Sequence, residues 1–364
     1  MNREHGVKKL ILTILAAFGL AAAQEGVPET SWRCPEGFAG QRLAVYNWTT
    51  YIAEDTVANF EALCDVTVTY DTYPTEDDML ARLRQGNPGY DIVVPSGTVV
   101  YPLIDEGLLE PLDKENIPNL ANVDETFLDQ PFDPGNAYTL PYQWGTIGIG
   151  YNRANVGGEV SGWADLFAYE GPVAWLEDVR GTMGVALLML GFDPNTRNPD
   201  EIAQARDYLV EQGGNVVYIA QDDGQELLAR GEVDIAVEYS GDIFQIIDEC
   251  GCDDYAYVIP EEGANVWIDN VAIPSGAPNK ALAETFIDYL LDPQVAADIS
   301  NYTAYGSPNR DAVEAGLIDE SLLADPGIYP PEEVEARLFS VVNDPELEGL
   351  YNDAWDEVKI FVGG

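Results

Sequence analysis

Residues 43–51 read Leu-Ala-Val-Tyr-Asn-Trp-Thr-Thr-Tyr, a short apolar run that leads straight into rings and hydroxyls. Leu43 to Asn47 has the length and apolarity of a buried strand. Glu54 to Leu63 follows with helical spacing, and Val66 to Tyr70 alternates as a strand. Glu76 to Arg84 is a second helix, stopped by Gly86 and Pro88. Asp91 to Val94 is a third strand, ended by Pro95. Strands alternating with helices predict an α/β layer, and ligands of open α/β sheets gather beyond the carboxyl ends of the strands. Trp48, Thr49 and Tyr51 stand at such an end.

The alternation continues along the chain with no internal repeat and no disordered linker. Ala137 to Tyr142 and Thr146 to Tyr151 read as two strands that mark a first passage between two lobes. Val266 to Ile273 is the expected return. The expected fold is α/β with two lobes, joined by hinge crossings around a ligand cleft. Residues 40–143 and 270–314 are expected in the first lobe, 144–269 and 315–364 in the second.

The chain has 364 residues, 46% of them hydrophobic, enough for two substantial cores. Residues 1–23 read as an export signal, cleaved near Ala23. Arg3, Lys8 and Lys9 give it a positive start, and Leu10 to Leu20 is apolar but short for a bilayer. The formal charge of −47 argues against nucleic acid or anionic membranes as partners. An acidic, halophilic-like surface suits a salty medium, where screening weakens self-repulsion. Cys34, Cys64, Cys250 and Cys252 would enter an oxidising compartment, where disulfides persist. Three pairings are open. Cys34 precedes the first strand and Cys64 ends the first helix, so they could meet, leaving Cys250 and Cys252 to close a tight local bridge. No metal is expected, because the lone histidine is His5 in the leader and the cysteines lack zinc spacing.

Acids and rings recur at the other strand ends. Ser96 and Thr98 open a helix after Pro95 and would receive a polar group or cap the helix. Glu177 and Asp178 follow the strand Pro172 to Leu176; one would face the cleft while the other caps or pairs with Arg180. Tyr239-Ser240-Gly241-Asp242 carries an apolar strand into an acid at a helix start. In Trp267-Ile268-Asp269, alternation puts the indole and the acid on one face. A charged acid on a core face is costly without a partner. Tyr305 lies in a turn-rich loop that would close over a ligand. Ring faces hold cations and cover methylenes, so these pieces predict a box for a small organic cation. Asp222-Asp223 pairs two acids without the pattern of a calcium loop. With no histidine beyond the leader, no nucleophile elbow and no phosphate loop, neither a catalytic centre nor a cofactor is expected.

Four of these pieces carry a resemblance. Tyr-Asn-Trp-Thr-x-Tyr at 46–51, Asp-Ile-Val-Val-Pro-Ser at 91–96, Trp-Ile-Asp at 267–269 and Tyr-Gly-Ser-Pro-Asn at 305–309 resemble the periplasmic spermidine/putrescine-binding proteins of bacterial ATP-driven importers. The resemblance implies a type II-like periplasmic binding protein fold, a polyamine held between closing lobes, and delivery to an inner-membrane permease. It implies a periplasmic location, and a monomer is expected. It also implies that Trp48, Thr49 and Tyr51 line the cleft with Ser96 nearby, and that Asp178 and Asp269 bind amino groups. Trp267 would stack on methylenes, and Tyr239, Asp242 and Tyr305 would complete the site. Gly181 stands where the spermidine-binding branch has a Glu, and Thr98 where a Tyr often contributes a ring. With Asp242 retained, these departures lean toward putrescine, unless Glu177 or Glu238 compensates. The rival readings are an opine or amino-acid derivative whose carboxylate needs Arg180, a ferric ion held by tyrosines, and a glycan-active enzyme with paired acids.

Overall fold

The structure is a computed structural model that describes residues 30–342 and 345–362, so the expected export signal lies outside the described residues. Its strands are β1 (Arg42–Trp48), β2 (Thr67–Tyr73), β3 (Ile92–Val93), β4 (Thr139–Asn152), β5 (Val173–Leu176), β6 (Val216–Ala220), β7 (Ile235–Tyr239), β8 (Tyr255–Val258) and β9 (Val266–Ala272). They are wired twice in the same way. The first sheet has the order β2-β1-β3-β9-β4, in which β1, β2 and β3 are parallel and β9 is antiparallel to both neighbours. The second has the order β6-β5-β7-β4-β8, in which β5, β6 and β7 are parallel and β4 is antiparallel to both neighbours. In each sheet the reversed strand is the one that arrives from the other lobe. The two-lobed α/β architecture expected from the sequence is the one observed.

The two strands expected at Ala137 to Tyr142 and Thr146 to Tyr151 are a single strand. β4 is 14 residues long and buried at all but its last position. Gln143-Trp144-Gly145 does not turn. A register shift between Pro141 and Gln143 absorbs the irregularity, and pairing with β9 continues through Gly145 and Thr146. Beyond that point the same edge of β4 pairs with β8. Backbone groups this deeply buried need partners, and the two strands placed end to end supply them.

Each lobe has its own core. Leu43, Val45, Phe60, Ile92, Val271 and Phe286 meet in the first. Ile149, Trp163, Trp175, Leu187, Ile235 and Trp355 meet in the second. The segment 315–364, expected entirely in the second lobe, divides instead. Ile318 packs on Ala297 and Ala312, beside the helix Pro293–Thr303 that gives Val295 and Ile299 to the first core. The helix Pro345–Phe361 packs on Val179–Met189 and Pro199–Gln212 in the second lobe. The apolar periodicity of a tail shows that it packs, but not which surface it meets.

The helix Glu76–Arg84 bears on the site. Thr75 caps it by accepting from the Asp78 amide, acids fill its first turn, and Arg82 and Arg84 fill its last. That polarity matches the helix dipole.

Both expected disulfides are present, Cys34–Cys64 and Cys250–Cys252. They span 30 and 2 residues, respectively. In the chain-entropy account, the longer loop stabilises by about 3–4 kcal/mol and the shorter by roughly half that. The double variant Cys34→Ser/Cys64→Ser is therefore expected to lose clearly more stability in denaturant titration than Cys250→Ser/Cys252→Ser. Equal losses would sink the loop-length argument.

Candidate cation-binding cleft

The carboxyl ends of the parallel strands meet across the seam between the sheets. Trp48 closes β1, where its Nε1 donates to the Val94 carbonyl at 2.9 Å and its ring lies 4.7 Å from Tyr73. Thr49 Oγ1 donates to Asp222 Oδ2 at 3.2 Å, which joins the end of β1 to the end of β6. Tyr51 is buried, with its ring 5.3 Å from Tyr305 and 6.5 Å from Trp267. Trp267 lies 5.2 Å from Tyr305 and 5.8 Å from Tyr239. The Tyr305 hydroxyl donates to Asp242 Oδ2 at 2.7 Å, a second bond across the seam.

Two glycines make this packing possible. A Cβ on Gly145 would lie 2.6 Å from Trp267 Cζ2, and one on Gly241 would lie 2.6 Å from the Tyr305 ring. Both sites require the backbone to approach a ring closely.

The acids fall into two groups. Asp269, Glu76 and Asp178 form one. Asp269 is buried, and the Tyr51 phenol faces its carboxylate and favours the charged form against burial. Asp269 feels Glu76 more strongly than Asp178, and Asp222 least of the three. Glu76 accepts from the Ser96 amide at 2.9 Å, Ser96 Oγ at 3.0 Å and Thr98 Oγ1 at 3.2 Å. Asp178 caps the helix Val179–Met189 by accepting from the Gly181 amide at 2.7 Å. In the second group, carboxylate oxygens of Asp222, Glu238 and Asp242 lie within 4.8 Å of one another. None of these acids sits in an ion pair among the described residues.

Burial raises every one of them above its ordinary value, because the charged form loses its water. Glu76 is pushed up to about 7, with hydrogen bonds from Ser96 pulling against burial. Asp222 is pushed up to about 8 by burial and then by Asp242. Asp242 reaches about 6, held down by the Tyr305 hydroxyl. Burial, then the charges of Asp242 and Asp222, drive Glu238 well up. Burial, then Glu76, does the same to Asp269. Asp178 is raised by burial against the opposing pull of the Gly181 amide and Arg180. Such a cleft is short of positive charge, and a ligand carrying ammonium groups would supply it.

The structure thus brings Trp48, Thr49, Tyr51, Asp178, Tyr239, Asp242, Trp267, Asp269 and Tyr305 to one seam. Ser96 reaches it indirectly. Its hydroxyl, expected to meet a ligand or cap the helix, donates to Glu76 and makes no cap. Glu177 pairs with Lys359 at 3.0 Å, not with Arg180. Arg180 turns away, donating to the Val342 carbonyl at 2.9 Å and stacking 4.0 Å from the Tyr351 ring. It does not present the cation that an amino-acid or opine carboxylate would need. Glu76 was not singled out in the sequence, Asp222 appeared there as half of an acidic pair, and Glu238 as a substitute acid. An acid inside the otherwise apolar run Ile235 to Tyr239 was the available signal for Glu238.

The chain matches the family described as bacterial extracellular solute-binding protein over residues 55–328. It belongs to that family. A putrescine-binding periplasmic protein of Pseudomonas aeruginosa is 34% identical over 87% of this chain and 91% of its own length. A spermidine/putrescine-binding periplasmic protein of Escherichia coli is also 34% identical, over 80% of this chain and 84% of its own. A solved structure described as a putative spermidine/putrescine ABC transporter from Listeria monocytogenes superposes with a TM-score of 0.82 at 33% identity, covering 88% of this chain and 99% of that one. The solute-binding fold, with its type II α/β lobes, is therefore shared. Structures that hold agropinic acid or glucopine have TM-scores of 0.71 at 22% and 20% identity, and their likeness is one of fold alone.

Proposed function

We propose that this chain is an exported solute-binding protein that captures a linear diamine in the periplasm and delivers it to the permease of an ATP-driven importer. Putrescine is preferred over spermidine. The observation that carries the reading is the pairing of two buried acid groups with the rings of Tyr51, Tyr239, Trp267 and Tyr305. A diammonium ion entering a cleft loses strong hydration at both ends, and carboxylates must replace it there. Ring faces suit the methylenes between. The names of the relatives at 34% identity point the same way. Gly181 supports the shorter ligand. A Cβ there would lie 2.6 Å from Ile147 Cδ1, so an additional acid at this position would require the Ile147 side chain to shift.

The test is calorimetry on protein unfolded and refolded to strip bound amine, with putrescine, cadaverine, spermidine and an opine. One-to-one binding with putrescine at least several-fold tighter than spermidine is expected. Tighter spermidine would overturn the preference, and no binding by any amine would overturn the function.

A further inference from the structure

Glu238 occupies an unusual position. It is 0% exposed, yet its Oε2 has no hydrogen-bond partner. Its other oxygen accepts from the Tyr239 amide at 2.9 Å. Gly224 makes room for it, since a Cβ there would collide with Glu238 Oε2. This buried, half-satisfied acid shares a 4.8 Å cluster with Asp222 and Asp242. Those two are the acids that hold the seam, through Thr49 and Tyr305. Fully buried acids are retained only where a proton or a cation completes them.

We propose that Asp222, Glu238 and Asp242 form a three-acceptor cradle that selects a primary ammonium group at one end of the ligand. The inference rests on the diamine reading above and adds Glu238 and Asp222 as specificity-determining residues. A primary ammonium has three N–H donors and no acceptor, so three carboxyl groups around one point can receive all of them. Oxygens within 4.8 Å of one another can all reach a nitrogen between them at ordinary charged hydrogen-bond lengths. Each N-methyl group would remove one donor and leave one buried oxygen unmet, which is the arrangement that discriminates most strongly between ligands. As a carboxylate, Glu238 offers the ammonium a charge-assisted acceptor, which a neutral carboxamide of the same shape replaces only in part. The cluster differs from the Asp269 group, where Ser96 and Thr98 already use the oxygens of Glu76.

The experiment is a cycle of two proteins and two ligands, repeated for Glu238→Gln and for Asp222→Asn. The ligands are putrescine and its bis-trimethylammonium analogue, which has the same charge and no N–H. Putrescine is expected to bind each variant at least tenfold more weakly than wild type, while the analogue, weak throughout, changes less than threefold. Equal loss for both ligands would show that the acids act as bulk charge and would overturn the cradle. Unchanged putrescine affinity in both variants would also overturn it. If Glu238→Gln fails to fold, the half-buried Asp222→Asn carries the test alone. Calcium is titrated as a separate arm, and calcium displacing putrescine with micromolar affinity would mark the cluster as a divalent-metal site instead. Absence of putrescine binding in wild type would count against the diamine reading itself, so the two failures are distinct.

Discussion

Asp269→Asn is expected to weaken putrescine binding by about a hundredfold while leaving the protein folded. The ligand-free variant should melt at the same temperature as wild type or higher. Asp269 lies buried on β9, where burial and the charges of Glu76 and Asp178 oppose its ionisation and the Tyr51 phenol favours it. In the empty cleft its charge is a cost, and Asn removes it. With a diamine bound, the same carboxylate receives a charged hydrogen bond worth about 1.5–3 kcal/mol. Removing one partner of a buried charge pair costs about 2–5 kcal/mol, and each 1.4 kcal/mol is about tenfold in affinity. Calorimetry and thermal melting on the same samples separate the two effects. Unchanged affinity would remove Asp269 from the site, and a large fall in melting temperature would make it a structural acid.

Putrescine should also bind more tightly as pH rises from about 5 to about 8, with protons released on binding. Asp242, Glu76 and Asp222 have folded-state values of about 6, about 7 and about 8, against ordinary values of 3.8, 4.5 and 3.8. A raised acid stabilises the ligand-free fold in its protonated form. That contribution is complete below the ordinary values and is lost as pH climbs through about 6, 7 and 8 in turn. A dication requires the ionised forms, so it competes with those protons. Titrations at both ends of the range, in buffers of differing ionisation enthalpy, give the proton count directly. Tenfold or more tightening toward the alkaline end is expected. A flat profile with no buffer dependence would mean that the cleft acids are already ionised before the ligand arrives.

Much of the frame was legible because each local signal agreed with the global one. Leu43 to Asn47 is apolar, follows strand periodicity and ends in a turn, and it lies within β1. Gln143-Trp144-Gly145 misled because a glycine beside polar and bulky residues resembles a break. Its strand state comes from β9, more than a hundred residues away, which no local pattern carries. The rings and acids next to strand ends were legible for the same reason that strands were. Glu76 was not, since a first-turn acid after a Thr cap needs no further explanation. Asp222 was hidden by the acidity of the whole chain. Only the fold reveals that it stands beside Asp242 and Glu238.

The doubled wiring also constrains the order in which the molecule can complete itself. β3 and β4 are not neighbours; β9 lies between them. A nascent chain that has reached the end of β4 therefore carries a sheet with its inner strand missing. The whole sequence of β5 to β8 must emerge before that gap can close. Contacts made over such separations form late, because the intervening loop must be ordered first. The N-terminal half thus gains its inner strand only after most of the chain has been made, so its sheet is completed among the last events of folding.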